Sequence, residues 1–345
     1  MTDGAASPGP PDDGSPQLPT VVVSSRSFST GDRDLIGELA AAGLRTVRVA
    51  ADHHPDELLP VLRTAVAWIA GTSPVTDAQL SAAPGLRVLA RYGVGVDSVD
   101  LAAANRAGIT VTNTPGANSE AVSEHTVALM FAALRGISGA DGRIRQGDWT
   151  VSRGRQLGGC AAGVVGFGRI GRGTAARLAG LGCRVMVNDR YVGDSAIRAA
   201  GCEPVSIEQL RQRADLVALH TPGGELLVDA GWLADCRPGQ VIVNTARADL
   251  VDEHRLAQAL SDGRIFAYAA DTLASESGSD HVSPLLDPQL RDRVTITPHL
   301  GAQTVQAIDT MGAMAVADVL AVLDGQPPAH PVHLDVGAAA SLPVI

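Results

Sequence analysis

The sequence predicts an α/β protein of two lobes, each built on a parallel sheet, with the second lobe inserted into the chain path of the first. Three observations lead there. The chain has 345 residues, more than one ordinary core holds and enough for two. Short β-branched runs alternate with Ala- and Leu-rich helical stretches, the pattern of βαβ units. After residue 160 the alternation restarts at a glycine-rich turn.

The elements follow in order. Residues 1–18 are rich in Pro and Gly and poor in apolar side chains, and are expected to form a disordered tail; 337–345 is expected to be a second tail. Val21-Val22-Val23 reads as a buried strand, followed by a helix over Asp32–Ala42. Further strands are predicted at Thr46–Val49, Val66–Ala70 and Leu86–Ala90. Asn118–Leu134 reads as a long helix whose apolar face carries Val122, Val127, Met130 and Leu134. The second series places strands at Ala161–Val165, Arg184–Asn188, Leu216–Leu219, Val241–Asn244, Ala267–Asp271 and Val294–Thr297, a six-stranded doubly wound pattern. The amphipathic stretch Gln303–Leu323 then returns to the first lobe. The expected domains are 19–115 with 303–336, and the inserted 116–302.

Composition removes several classes. The net charge of −10 argues against a broad nucleic-acid surface, which needs clustered cations. All 27 basic residues are Arg, so Schiff-base chemistry, a P-loop lysine and a lysine base are excluded. Anions must be held by Arg, backbone amides or helix N-termini. Cys160, Cys183, Cys202 and Cys236 have no CxxC spacing, so neither a metal site nor a redox dithiol is expected. No apolar run is read as reaching the roughly 18 residues that span a bilayer, and the N-terminus has no apolar signal region. A cytoplasmic protein with no membrane partner is the expectation.

The strand Gly163-Val164-Val165 runs directly into Gly166-Phe167-Gly168-Arg169-Ile170-Gly171. The first glycine permits a tight turn, the second lets a pyrophosphate approach the backbone, and the third allows close helix–strand packing. The amides at Arg169 and Ile170 then open a helix whose N-terminus favours phosphate. Asp189 ends the next strand, 18 residues after Gly171, where a carboxylate hydrogen-bonds the adenosine ribose and repels a 2′-phosphate. NAD is therefore expected in preference to NADP, and the lobe is Rossmann-like. Arg190 works against that preference, since an Arg beside this position tolerates NADP.

Three later strand ends carry ionisable groups: Arg247 after Asn244-Thr245-Ala246, Glu276 five residues beyond Asp271, and His299 after Thr297-Pro298. In an open parallel sheet, ligands bind outside the carboxyl ends of the strands. Oxidising a 2-hydroxy acid needs a cation for the carboxylate and C2 oxygen, a base for the hydroxyl proton, and a carboxylate to orient that base. Arg247, His299 and Glu276 supply this set.

With these segments in view, the chain resembles the D-isomer-specific 2-hydroxyacid dehydrogenase family, in its phosphoglycerate dehydrogenase-like branch. Arg91-Tyr92-Gly93-Val94-Gly95-Val96-Asp97, Asn113-Thr114-Pro115-Gly116-Ala117-Asn118, the glycine loop, Asn244–Arg247 with Leu250-Val251-Asp252-Glu253, and Thr297-Pro298-His299 carry the likeness. It implies two Rossmann-like lobes with a cleft between them, and a homodimer. It implies that amides around Val94 and Gly95 hold the substrate carboxylate, and that Asn118 lies near the substrate. Asp271 would contact the nicotinamide side of the cofactor. His220, Thr221 and Pro222 would line the cofactor site, with Thr245 and Ala246 beside them.

The chain departs from the family at several points. Arg247 is followed by Ala248-Asp249 where the family has Gly; Asp271 is followed by Thr272-Leu273, and Glu276 by Ser277 rather than Pro. The loop after His220 is about three residues short. The branch suggests a small D-2-hydroxy acid bearing phosphate or a phosphonate. The alternative is a non-catalytic NAD(H)-sensing protein of the co-repressor kind. A phosphite dehydrogenase has Lys where Val94 stands, and a formate dehydrogenase pairs its His with Gln.

Overall fold

The computed structural model describes residues 18–277 and 282–333, so the expected tails, Leu18 apart, lie outside the described residues. The chain divides into two compact units. One runs up to Ser29, over Arg33–Asn113 and from Gly312 on; the other comprises Thr30–Asp32 and Thr114–Met311. The second is thus inserted within the chain path of the first.

The first unit holds five parallel strands: β1 (Thr20–Ser24), β2 (Arg45–Arg48), β3 (Ala65–Ala70), β4 (Val88–Arg91) and β5 (Thr110–Thr112). Their order is β2-β1-β3-β4-β5, the flavodoxin-like doubly wound arrangement. The central strands are near-continuous apolar runs because both faces of a parallel sheet are covered; all five residues of β1 and all four of β4 are buried. β5 escapes a reading for apolar runs because Thr110-Val111-Thr112 contains one apolar residue.

The second unit carries β6 (Ala161–Val165), β7 (Arg184–Asn188), β8 (Glu203–Pro204), β9 (Leu216–Leu219), β10 (Gln240–Asn244), β11 (Ile265–Ala270) and β12 (Val294–Ile296). The sheet has seven strands, not six, in the order β12-β11-β10-β9-β6-β7-β8. β8 is the strand missed: it is two residues long and contains a proline, which only an edge tolerates. From β8 inward the order is 3-2-1-4-5-6 with one further strand, the dinucleotide-binding arrangement, and its chain reversal lies between β6 and β9. Apolar clusters cover both faces, one around Trp232, Leu256 and Tyr268, the other around Met130, Phe167 and Leu178.

The helix Val305–Leu323 corrects one expectation, because by length and composition it could cross a membrane. It is a core helix: Met311, Ala315, Val316 and Val319 are buried. Asp318, also buried, accepts the Ala329 amide at 2.8 Å and pairs with His330 at 3.0 Å.

Candidate active site

The glycine turn of the second unit is fixed by sterics. Gly166 has φ +94°, and a Cβ there would stand 2.6 Å from the His220 carbonyl oxygen, so only glycine lets β6 turn so close to the end of β9. Gly171 is equally constrained, since a Cβ would collide with the Gly166 carbonyl. Gly168 differs: nothing lies within 4 Å of where its Cβ would be. That open space fronts the helix Arg169–Gly180, whose N-terminus has no side-chain cap, and it suits a pyrophosphate.

Asp189 is the first residue beyond β7. Its Oδ2 accepts the Phe167 amide at 2.5 Å, and Oδ1 accepts the Tyr191 and Val192 amides at 2.8 Å each. The carboxylate is held against the glycine turn, half-buried, with acceptor capacity left on Oδ2. His220 follows β9, and burial pushes its pKa down to about 4. Its Nε2 and the Asn118 Oδ1 are buried polar atoms with no hydrogen-bond partner among the described residues. Thr221 is half-buried and Pro222 exposed. This donor and acceptor set fits a dinucleotide.

Beyond β10, Asn244 shapes the next turn. Its Nδ2 donates to the Arg247 carbonyl at 2.7 Å and its Oδ1 accepts the Ala246 amide at 3.0 Å. Thr245 bonds Thr126 of the helix Ser119–Arg135 at 2.8 Å. Arg247 leaves this turn half-buried, its Nη1 donating to the Ala246 carbonyl at 2.9 Å.

The segments after β11 and β12 bring Glu276 and His299 together. His299 Nδ1 and Glu276 Oε1 lie 2.7 Å apart, with 40% and 37% of their side chains exposed. His299 has φ +56°, a left-handed conformation uncommon outside glycine. The turn is clamped by Asp271, which is 3% exposed. Asp271 Oδ1 accepts the Thr297 hydroxyl at 2.5 Å and the Leu300 amide at 2.7 Å, and Oδ2 accepts the Gly301 amide at 2.7 Å. His125 reaches in from the helix Ser119–Arg135, with Nε2 2.9 Å from Thr297 Oγ1 and 3.3 Å from Asp271 Oδ1. Burial alone pushes the Asp271 carboxyl up, but the bonds from His125, Thr297, Leu300 and Gly301 outweigh it and hold it below its ordinary value. Both Asp271 oxygens are therefore engaged by the turn that carries His299.

Two contributors were not picked out by the sequence. His125 is one; the available signal was a polar residue three places after Val122 on the buried helix stripe. Glu253 is the other, read only as part of the family likeness. Its oxygens accept the Ala274 amide at 2.8 Å and the Ser283 hydroxyl at 2.6 Å, bracing the segment that bears Glu276 from both sides. Among the described residues no cluster of His, Cys, Asp and Glu is arranged to hold a metal ion.

Val94 and Gly95 lie in the first unit, on the loop after β4. Asn113 Nδ2 donates to the Val94 carbonyl at 2.7 Å. Arg91 is buried beneath this loop and donates to the Tyr92 carbonyl, so it braces the backbone from inside.

A seven-stranded sheet in this order, with a glycine turn at its chain reversal, defines a Rossmann-type dinucleotide-binding unit. The family model for the NAD binding domain of D-isomer specific 2-hydroxyacid dehydrogenases matches residues 127–301, and the chain belongs to that family. NAD is the family's cofactor. A D-3-phosphoglycerate dehydrogenase of Mycobacterium tuberculosis is 39% identical over 277 residues, 79% of this chain and 52% of the relative. The chain thus spans about half the length of such curated relatives. Among solved structures, the TT0316 protein of Thermus thermophilus matches with a TM-score of 0.79 and 32% identity, covering 91% of this chain and all of that one. The pyruvate reductase of Chlamydomonas reinhardtii matches with a TM-score of 0.77 and 25% identity, over 91% of this chain and 98% of that one.

Proposed function

We propose that the chain is an NAD-dependent oxidoreductase interconverting a small D-2-hydroxy acid and its 2-keto acid, with a phosphoglycerate-like or phosphonate-bearing substrate. The observation that carries it is the 2.7 Å contact between His299 Nδ1 and Glu276 Oε1 on a turn clamped by a buried carboxylate. With Nδ1–H donating to Glu276, Nε2 is left as the atom that takes the hydroxyl proton in oxidation and returns it in reduction. Glu276 fixes the tautomer and stabilises the imidazolium. Arg247 binds the substrate carboxylate and polarises the C2 oxygen through its planar fork. Asn118 adds a further substrate contact from the second unit. Gly166, Gly168, Arg169, Ile170, Gly171 and Asp189 hold the pyrophosphate and ribose of NAD, which supplies the hydride chemistry when bound.

The phosphorylated substrate rests on the D-3-phosphoglycerate dehydrogenases among the relatives. Arg91 is not assigned to the phosphate, because its guanidinium is buried and turned to its own loop. The same reading expects a cytoplasmic homodimer, for which the exposed Ile137, Ile144, Trp149 and Val151 on one stretch of the second unit supply apolar surface. Nothing favours the non-catalytic alternative, since the His–Glu pair is intact. The test is a panel of 2-keto acids with NADH, including 3-phosphohydroxypyruvate, pyruvate and phosphonopyruvate, followed by the chirality of the product. The expected outcome is turnover of a phosphorylated or phosphonate keto acid to the D-hydroxy acid. Failure on all members, with NADH bound, would overturn the reading.

A further inference from the structure

Arg190 stands beside the carboxylate that meets the ribose, and a free guanidinium there would attract a 2′-phosphate. It is not free. Arg190 Nη1 lies 2.6 Å from Glu225 Oε2, which spans from the end of β7 to the loop after β9. Both groups are about two-thirds exposed, and an isolated pair of that kind adds little to stability.

Backbone anchors fix both ends of this pair. On one side, the Asp189–Val192 turn is closed by the Tyr191 and Val192 amides on Asp189. On the other, Gly224, just before Glu225, donates its amide to Asp249 Oδ2 at 2.7 Å. A Cβ on Gly223 would stand 2.7 Å from Asp249 Oδ1, so glycine is what lets this loop lie against Asp249. The loop's far end is tied by the Leu227 amide to the Leu250 carbonyl at 3.0 Å. Asp249 and the short loop, two departures from the family pattern, therefore place Glu225 opposite Arg190.

We propose that Glu225 is a cofactor-specificity residue: it occupies Arg190, so the guanidinium is withheld from a 2′-phosphate, and it adds a second negative charge where that phosphate would sit. Discrimination against NADP then has two layers, repulsion by Asp189 and capture of Arg190 by Glu225. This inference rests on Asp189 being the ribose ligand.

The experiment is the affinity of the purified protein for NADH and NADPH, measured by nucleotide fluorescence at low ionic strength without substrate. The proteins compared are the parent, Glu225→Gln, Arg190→Ala/Glu225→Gln and Asp189→Ala. Glu225→Gln is expected to shift the NADPH-to-NADH affinity ratio about threefold to fivefold toward NADPH, the upper part of what one exposed charge contact is worth. The double variant should return most of that shift, because the gain acts through Arg190. A ratio within twofold of the parent in Glu225→Gln, or an equal shift in the double variant, would overturn the inference. Asp189→Ala separates the two levels. If it weakens NADH binding while Glu225→Gln changes nothing, only the Glu225 inference falls. If it leaves NADH binding untouched, the ribose assignment falls and the inference with it.

Discussion

Asp189 and Asp271 occupy equivalent places in the second unit, each the first residue beyond a parallel strand, β7 in one case and β11 in the other. Both accept backbone amides, yet their surroundings differ. Asp189 is half-buried, takes three amides from its own turn and the glycine turn, and keeps acceptor capacity on one oxygen. Asp271 is buried and takes two amides, a hydroxyl and a histidine. The same position at a strand end thus sets one carboxylate half-buried against the glycine turn and the other inside a buried hydrogen-bonded turn. What differs is burial and the kind of donor, since each aspartate has one oxygen with a single partner, and at Asp271 the bonds hold the turn of His299, which is left-handed.

The largest expected effect follows from that contrast. Asp271→Asn sets an amide group against donors that need acceptors, which should cost about 2–4 kcal/mol of stability at neutral pH by urea unfolding. The folded-state pKa of Asp271 lies below its ordinary value, so its contribution is present above about pH 4 and is lost as pH falls through the depressed folded value. The gap between parent and variant should therefore shrink in acid. A constant gap would show that the carboxylate charge is not what the turn uses.

Arg247 leaves β10, which lies between these two strands in the sheet. Arg247→Lys keeps the charge and loses the fork, and should lower kcat/KM about hundredfold with the fold intact. Asp189→Ala should weaken NADH binding about tenfold while costing less stability than Asp271→Asn. If the two aspartate variants destabilised equally, the contrast would collapse.

His220 gives the smallest effect. Its folded-state pKa of about 4 lies below the ordinary 6.5, so between those values the unfolded chain takes up a proton that the folded chain refuses. Stability falls as pH is lowered across that window, and His220→Asn should flatten part of this fall in a denaturation series.

The glycine turn and Asp189 were legible in the sequence because their signal is local: a strand, fixed glycine spacing, and an acid at a set distance. Arg247, Glu276 and His299 were legible as a set of residue types at strand ends. The clamp was not, because it joins His125, Asp271, Thr297 and Gly301 across 176 residues of chain through hydrogen bonds that leave no periodic trace. The edge strands β5 and β8 were hidden for a related reason, being short and only partly apolar. The helix Val305–Leu323 shows the converse, since a helix with one face in the core matches a membrane span in length and composition.

His299 is proposed to move the proton at C2. His299→Asn is the suitable variant, because Asn tolerates the left-handed backbone and cannot act as the base. The measurement is the pH dependence of the rate in both directions, for the parent and this variant, at saturating nucleotide. Parent oxidation is expected to rise with pH while reduction falls, since oxidation needs the ring neutral and reduction needs it charged. In His299→Asn both slopes should vanish and turnover should drop about a thousandfold, with NADH still bound. Opposed slopes that persist in the variant would contradict the assignment.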